Sequence, residues 1–247
     1  MFPSDLPARQ RLLGVLDGTL TGAIRADDAD DPGWATVTEL ADGTTYIAGR
    51  VEPATLADAL AALQPVSGEI VIGLTGPHDA VRSMLPPAGI RWSRAIDFTD
   101  RAASPDEERL LDPPPRTEVV PMTPELLAQT EWYADTLMAF RSIERWRELG
   151  LGRALLRDGE LACEATAGPI IRGQMEMGVR TAPNHRGQGY ATVTCRHLAR
   201  DIEARNLRPW WNTNAANLPS IALARRLGFR HEREYELAWW EIAALGG

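Results

Sequence analysis

Six residues, Arg186-Gly187-Gln188-Gly189-Tyr190-Ala191, join a strand-like run to a long amphipathic helix and narrow the possible folds more than any other part of the chain. Upstream, Gln174 to Thr181 reads as a strand, which Pro183 stops. Downstream, Tyr190 to Arg205 carries Ala191, Cys195, Leu198, Ala199 and Ile202 at the spacing of one helical face. A glycine-rich turn that opens a helix presents unpaired N–H groups at the positive end of the helix dipole, and its glycines let an anion approach the backbone. Such a turn suits a pyrophosphate. Two glycines alone could merely shape a strand-to-helix turn, so the surroundings must decide.

This is neither the dinucleotide fingerprint, which needs a third glycine, nor the P-loop, which needs Gly-Lys-Ser/Thr. A second element follows at a telling distance. Pro209 to Thr213 reads as the next strand, and after it come Asn217, Ser220 and a short helix ending in Leu227-Gly228-Phe229. Each part has a local reason: Asn217 suits a helix start, Pro219 the first turn and Gly228 the C-terminal cap.

The pattern Arg/Gln-x-x-Gly-x-Gly/Ala, met by Arg186, Gly189 and Ala191, together with Asn217, Ser220 and Leu-Gly-Phe, resembles the acyl-CoA site of the GNAT N-acetyltransferase superfamily. The resemblance covers residues 118–247. It implies an α/β fold with a mixed, splayed central sheet flanked by helices, and acetyl-CoA as the acyl donor. It also implies cofactor-binding roles for Val179, Arg180, Thr181, Arg186, Gly187, Gln188, Gly189, Tyr190, Ala191, Asn217 and Ser220. The backbone of Val179 to Thr181 would pair with the pantetheine arm as an added strand does.

The other segments of this half fit the same order. Glu118 to Met122 reads as a strand, Pro124 to Met138 and Ile143 to Leu149 as helices, and Gly152 to Leu156 with Leu161 to Thr166 as a hairpin turning at Asp158-Gly159. Tyr235 to Ile242, rich in Trp and Tyr, reads as a closing strand. Residues 1–117 form an additional smaller α/β domain or extension, with strands at Thr44 to Val51 and Glu69 to Leu74 and helices at Leu56 to Leu63 and His78 to Leu85. A degenerate copy of the same fold is one alternative there. The Pro-rich polar stretch from Ala103 to Glu118 marks the boundary.

Charge is unevenly placed. Residues 1–117 hold 10 Arg against 18 acidic residues, so the whole net charge of −8 belongs to that half. The run Asp27 to Asp31 reads as a solvated acidic loop, and the balance argues against a nucleic-acid partner. No apolar run is long enough to span a bilayer, and the N-terminus lacks a signal-peptide pattern. Cys163 and Cys195 read as core residues rather than a disulfide or metal pair, so the chain is expected in the cytoplasm, off the membrane. His78, His185, His197 and His231 have no ligand spacing, and no metal site is expected.

The resemblance extends to chemistry. An ammonium is not a nucleophile, so an N-acetyltransferase must remove its proton. Glu176 falls where many GNAT enzymes carry a strand carboxylate acting as general base, the alternative being an exposed strand residue or the partner of a nearby Arg. Where those enzymes often place a Tyr acid, this chain has Ala224. That leaves Tyr235, water or unassisted departure of the thiolate, the last being favoured. Trp132, Tyr133, Phe140 and Trp146 lie on helices that in GNAT folds cover the acceptor site, and they line it or fill the core. The activity implied is acetyl transfer to a small-molecule or peptide primary amine, with a homodimer left open. The alternative is a catalytically weak acyl-CoA-binding or scaffold protein.

Overall fold

A computed structural model describes residues 9–39, 44–49, 69–73, 90–103, 110–230 and 232–241. The fold is mixed α/β, and the chain divides into two compact units, Met1–Ala95 with Glu234–Gly247, and Ile96–Arg233.

In the first unit, helix α1 (Arg9–Leu16) precedes strands β1 (Gly22–Ala26), β2 (Trp34–Glu39), β3 (Thr44–Gly49) and β4 (Glu69–Gly73). The strands β1 and β2 pair antiparallel, as do β2 and β3, whereas β3 and β4 run parallel. The last strand, β11 (Glu232–Glu241), pairs antiparallel with β4 through its C-terminal half. Leu12 and Val37 are fully buried, and Arg11 of α1 pairs with the buried Glu39 of β2 at 3.0 Å. The acidic loop is solvated and internally ordered: Asp28 accepts the N–H groups of Asp30 and Asp31, and Asp27 that of Trp34. These bonds hold both carboxyls below the usual aspartate range. Helix α1 and strands β1 and β2 were not foreseen. The expected helices at Leu56 to Leu63 and His78 to Leu85 lie outside the described residues.

Strand β5 (Ile90–Phe98) enters the second unit at Ile96. Then follow β6 (Thr117–Pro121), α2 (Pro124–Leu127), α3 (Tyr133–Phe140), α4 (Ile143–Leu149), β7 (Leu151–Arg157), β8 (Glu160–Ala167), β9 (Gln174–Thr181), α5 (Tyr190–Ala204), β10 (Arg208–Asn214) and α6 (Leu218–Arg226). The sheet order is β5-β10-β9-β8-β7-β6. Strands β9 and β10 are parallel, and β9-β8-β7-β6 form an antiparallel meander.

Local chemistry explains the boundaries. Asp158 and Gly159 both have positive φ, 52° and 87°, which a tight two-residue hairpin requires. Ser142 caps α4 by accepting the Arg145 N–H, and Thr123 caps α2 by accepting that of Leu126. At the end of α6, Phe229 donates to the Ala224 carbonyl and Gly228, at φ 90°, to that of Arg225, the paired bonds of a Schellman stop. The single helix expected over Pro124 to Met138 is two. The Thr130 hydroxyl and N–H both bond the Leu127 carbonyl, ending the first helix before Trp132 starts the second.

The core lies chiefly between α5 and the sheet. Cys195, Leu198, Ala199 and Ile202 are fully buried against Ala165, Met175, Met177, Trp211 and Phe229. On the opposite face, α2 to α4 bury Leu127, Phe140 and Trp146 over Ala154 and Met122. The β8–β9 register fixes which residues share each face: Cys163, Ala165 and Ala167 oppose Thr181, Val179 and Met177 on the α5 side. Glu164 and Thr166, opposite Arg180 and Gly178, therefore face the other way, as does Glu176.

Candidate active site

The parallel pair β9–β10 is joined only at its beginning. Its register runs Arg208 to Gln174, Pro209 to Met175 and Trp210 to Glu176, and stops. Beyond Glu176, β9 continues to Thr181 paired, among the described residues, with β8 alone, so the sheet forks with Glu176 and Trp210 at its base. This is the splay that the sequence led us to expect.

The free arm of the fork leads into the glycine turn. Gly187 and Gly189 take positive φ, 75° and 78°, and a Cβ built at either meets open space within 4 Å. Room therefore exists for a ligand to approach the backbone. Gly189 is the residue before α5, which has no side-chain cap; Thr192 and Val193 already bond the Gly189 carbonyl, while the N–H groups of Tyr190 and Ala191 precede any intrahelical partner. Together with the edge of β9 from Val179 to Thr181, which no described strand pairs, the turn fits an extended ligand ending in a diphosphate. Arg186 donates to the Thr181 carbonyl at 3.3 Å, tying the turn to the strand.

Several of the expected binding side chains have structural partners. The Asn217 side-chain Oδ1 caps α6 by accepting the Ser220 N–H, and the Ser220 hydroxyl accepts the Trp211 indole N–H at 3.1 Å. Tyr190 is 2% exposed, its ring in a cluster with Leu155 and Cys163 and its hydroxyl turned to Gln188. Thr181 bonds the buried Cys163 sulfur at 3.3 Å. Burial pushes the thiols of Cys163 and Cys195 up, which makes both poor nucleophiles.

Over the face that carries Glu176 lies the α2–α3 connection. Trp132 sits on Gly178, and Glu131 pairs with Arg180. Phe140 and Trp146, by contrast, are buried in the core under α3 and α4, with Tyr133 packed partly buried against them. Of the four aromatic candidates, Trp132 meets β9 directly, at Gly178.

Three further polar groups share this face without having been singled out. Glu164, opposite Arg180, is 5% exposed, and its Oε1 has no hydrogen-bond partner among the described residues. Burial drives its carboxyl up, Arg180 opposing and Glu131 adding to the rise. Asn212, two residues beyond Trp210 on β10, donates to the buried Asp97 of β5 at 2.5 Å. Ala224, the counterpart of the missing phenol, is fully buried in the main core. Tyr235 lies on β11, and its side chain is outside the described residues. Among the described residues no group of three or more His, Cys, Asp or Glu is placed to hold a metal, and no helix is long and apolar enough to cross a membrane.

Comparison with known proteins agrees with this arrangement. A family model described as GNAT acetyltransferase matches residues 7–238, reaching into the half where the sequence alone displays no motif. An uncharacterized N-acetyltransferase of Bacillus subtilis (strain 168), YdfB, is 28% identical over 98 residues, 40% of this chain. The match spans 38% of that relative's length. Among solved structures, a GCN5-related N-acetyltransferase-like protein from Streptococcus suis superposes with a TM-score of 0.75 at 23% identity, covering 96% of this chain and 95% of that one. A GCN5-related N-acetyltransferase from Kribbella flavida gives 0.61 at 12% identity, with 95% of each chain covered. A putative GNAT-family acetyltransferase from Novosphingobium aromaticivorans gives 0.56 at 22%, over 98% and 99%. At these identities the structures speak for the fold.

Proposed function

This chain belongs to the GNAT acetyltransferase family, and from that premise we propose that it is an N-acetyltransferase, moving the acetyl group of acetyl-CoA to a primary amine by direct attack in a ternary complex. The observation that carries the proposal is the fork in the sheet: one strand edge is left open from Glu176 to a glycine turn lined with N–H donors. Acetyl-CoA, when bound, supplies an activated thioester carbonyl. Gly187 to Ala191 would hold its diphosphate, and the edge of β9 from Val179 to Thr181 would align its pantetheine arm.

The remaining work belongs to side chains. An alkylammonium has a pKa of roughly 10 and is almost wholly protonated near neutrality. Glu176, half-buried at the base of the fork, is the base that takes this proton, directly or through a water. Trp132 covers the strand beside it, limits water and offers an aromatic face to the cationic acceptor. Ala224 has no proton to give the departing sulfur, so the thiolate leaves with backbone N–H stabilisation. A small-molecule or peptide amine meets these requirements equally.

Turnover decides the matter. Acetyl-CoA incubated with the protein and a panel of alkyl, aminoacyl and peptide amines should release free thiol in proportion to N-acetyl product for at least one class. Release no faster than background hydrolysis across the panel would overturn the proposal.

A further inference from the structure

Arg157, at the end of β7, reaches the glycine turn. Its Nη1 donates to the Gln188 side-chain carbonyl and to the Tyr190 hydroxyl, both at 2.7 Å, and the Tyr190 hydroxyl donates to the same Gln188 oxygen at 2.9 Å. Three side chains thus close a ring in which every bond has a forced direction. A guanidinium has donors only, so the Gln188 oxygen and the Tyr190 oxygen must both accept from it. The phenol then has its own hydrogen left to give, and the Gln188 oxygen is the atom that takes it.

This polarity fixes the amide of Gln188. With Oε1 doubly engaged, its Nε2 carries two N–H donors that no described protein group takes, on an exposed residue between the two positive-φ glycines. Without Arg157 the amide could turn over and present its oxygen to an anion. Arg157 itself keeps about a third of its side-chain surface exposed, and its Nε lies 3.8 Å from Asp158.

We infer that Arg157 is a positioning residue for the cofactor turn: through Gln188 and Tyr190 it holds the Gln188 amide with its donors outward, so that the turn receives the diphosphate of the acyl donor with side-chain as well as backbone N–H groups. The inference rests on the acetyltransferase reading. It concerns recognition of the diphosphate half of the donor, not of the thioester.

The test compares two donors on the full chain by calorimetry: acetyl-CoA, and acetylpantetheine, which lacks the nucleotide diphosphate. Arg157→Met should weaken acetyl-CoA binding about tenfold, the size expected for one charge-assisted bond, while acetylpantetheine affinity stays within about twofold. Gln188→Ala, at an exposed site, should reproduce the loss, and the double variant should be no weaker than either alone. Gln188→Glu accepts the same two bonds but replaces the amide donors with a carboxylate oxygen, so it should bind acetyl-CoA worse than Gln188→Ala. Equal weakening of both donors, additive losses in the double variant, or wild-type affinity in Gln188→Glu or Arg157→Met would overturn the inference. Failure of the unaltered protein to bind acetyl-CoA would instead bring down the functional reading, and this inference with it.

Discussion

The indole of Trp132 lies so close over Gly178 that a Cβ added to the glycine would stand 3.1 Å from ring atom Cζ3. Gly178 is the residue of β9 between Glu176 and Arg180 on the same face, so the absence of a side chain lets an aromatic lid reach the strand beside the proposed base. The connection carrying Trp132 is itself anchored by the Glu131–Arg180 pair. An acceptor that the indole held would thereby sit at a set height above the fork.

Gly178→Ala should displace Trp132 by a few tenths of an ångström. Its φ is not in the left-handed region, so the backbone tolerates a side chain and the cost is one of packing, about 1–3 kcal/mol. KM for the best amine acceptor should rise several-fold while acetyl-CoA affinity is unchanged. Steady-state kinetics with both substrates varied separates the two, and unaltered acceptor kinetics would remove Trp132 from the acceptor site.

Glu176→Gln keeps shape and removes the proton acceptor. Turnover should fall on the order of 10²-fold or more at neutral pH, with acetyl-CoA affinity nearly the same. Wild-type rates across the pH range, with chemistry rate-limiting, would move the role to a water chain or another side chain.

Local signals made much of the C-terminal half readable. Gln174 to Thr181 has the bounds expected of it, because Pro183 ends it, and Ile143 to Leu149 does as well, because Ser142 caps it. The break at Thr130 was missed, since apolar periodicity continues across it while the hydroxyl that ends the helix acts one turn back. Glu164, Arg157 and Asp97 escaped notice for a different reason. Each owes its place to register or to a partner far along the chain: Glu164 to Arg180, Arg157 to Gln188 and Asp97 to Asn212. Residue type and spacing carry no trace of such pairings.

Gly189→Asp sets a carboxylate where a phosphate would lie. Asp adopts the left-handed backbone more readily than most residues, so the turn should survive. Acetyl-CoA affinity should drop by on the order of several kcal/mol from bulk and uncompensated charge. Calorimetry on the folded variant checks this, and unchanged affinity would dismiss the turn as the diphosphate site.

Tyr235→Phe should leave the rate within a few-fold if the thiolate departs without a phenol. A coenzyme A thiolate is a good leaving group near its ordinary pKa of roughly 8.5, so backbone N–H groups suffice. Loss on the order of 10²-fold, with donor binding intact, would assign Tyr235 the acid role instead.

Glu164 ties the site to stability. Burial raises its folded carboxyl above the ordinary value of 4.5, which the unfolded chain recovers. Between those two values the folded state holds a proton that the unfolded state has released, so ∂ΔG/∂pH is negative there. The stability linked to this group is therefore complete below pH 4.5 and is lost as pH rises through the folded value. Glu164→Gln fills the same space without ionising. Relative to wild type its Tm should be highest at pH 7.5, and the advantage should shrink as the pH is lowered toward 4.5. Thermal unfolding of both proteins from pH 4 to 8 measures the difference, and a Tm gap that does not vary with pH would mean that the carboxyl keeps its ordinary ionisation in the fold.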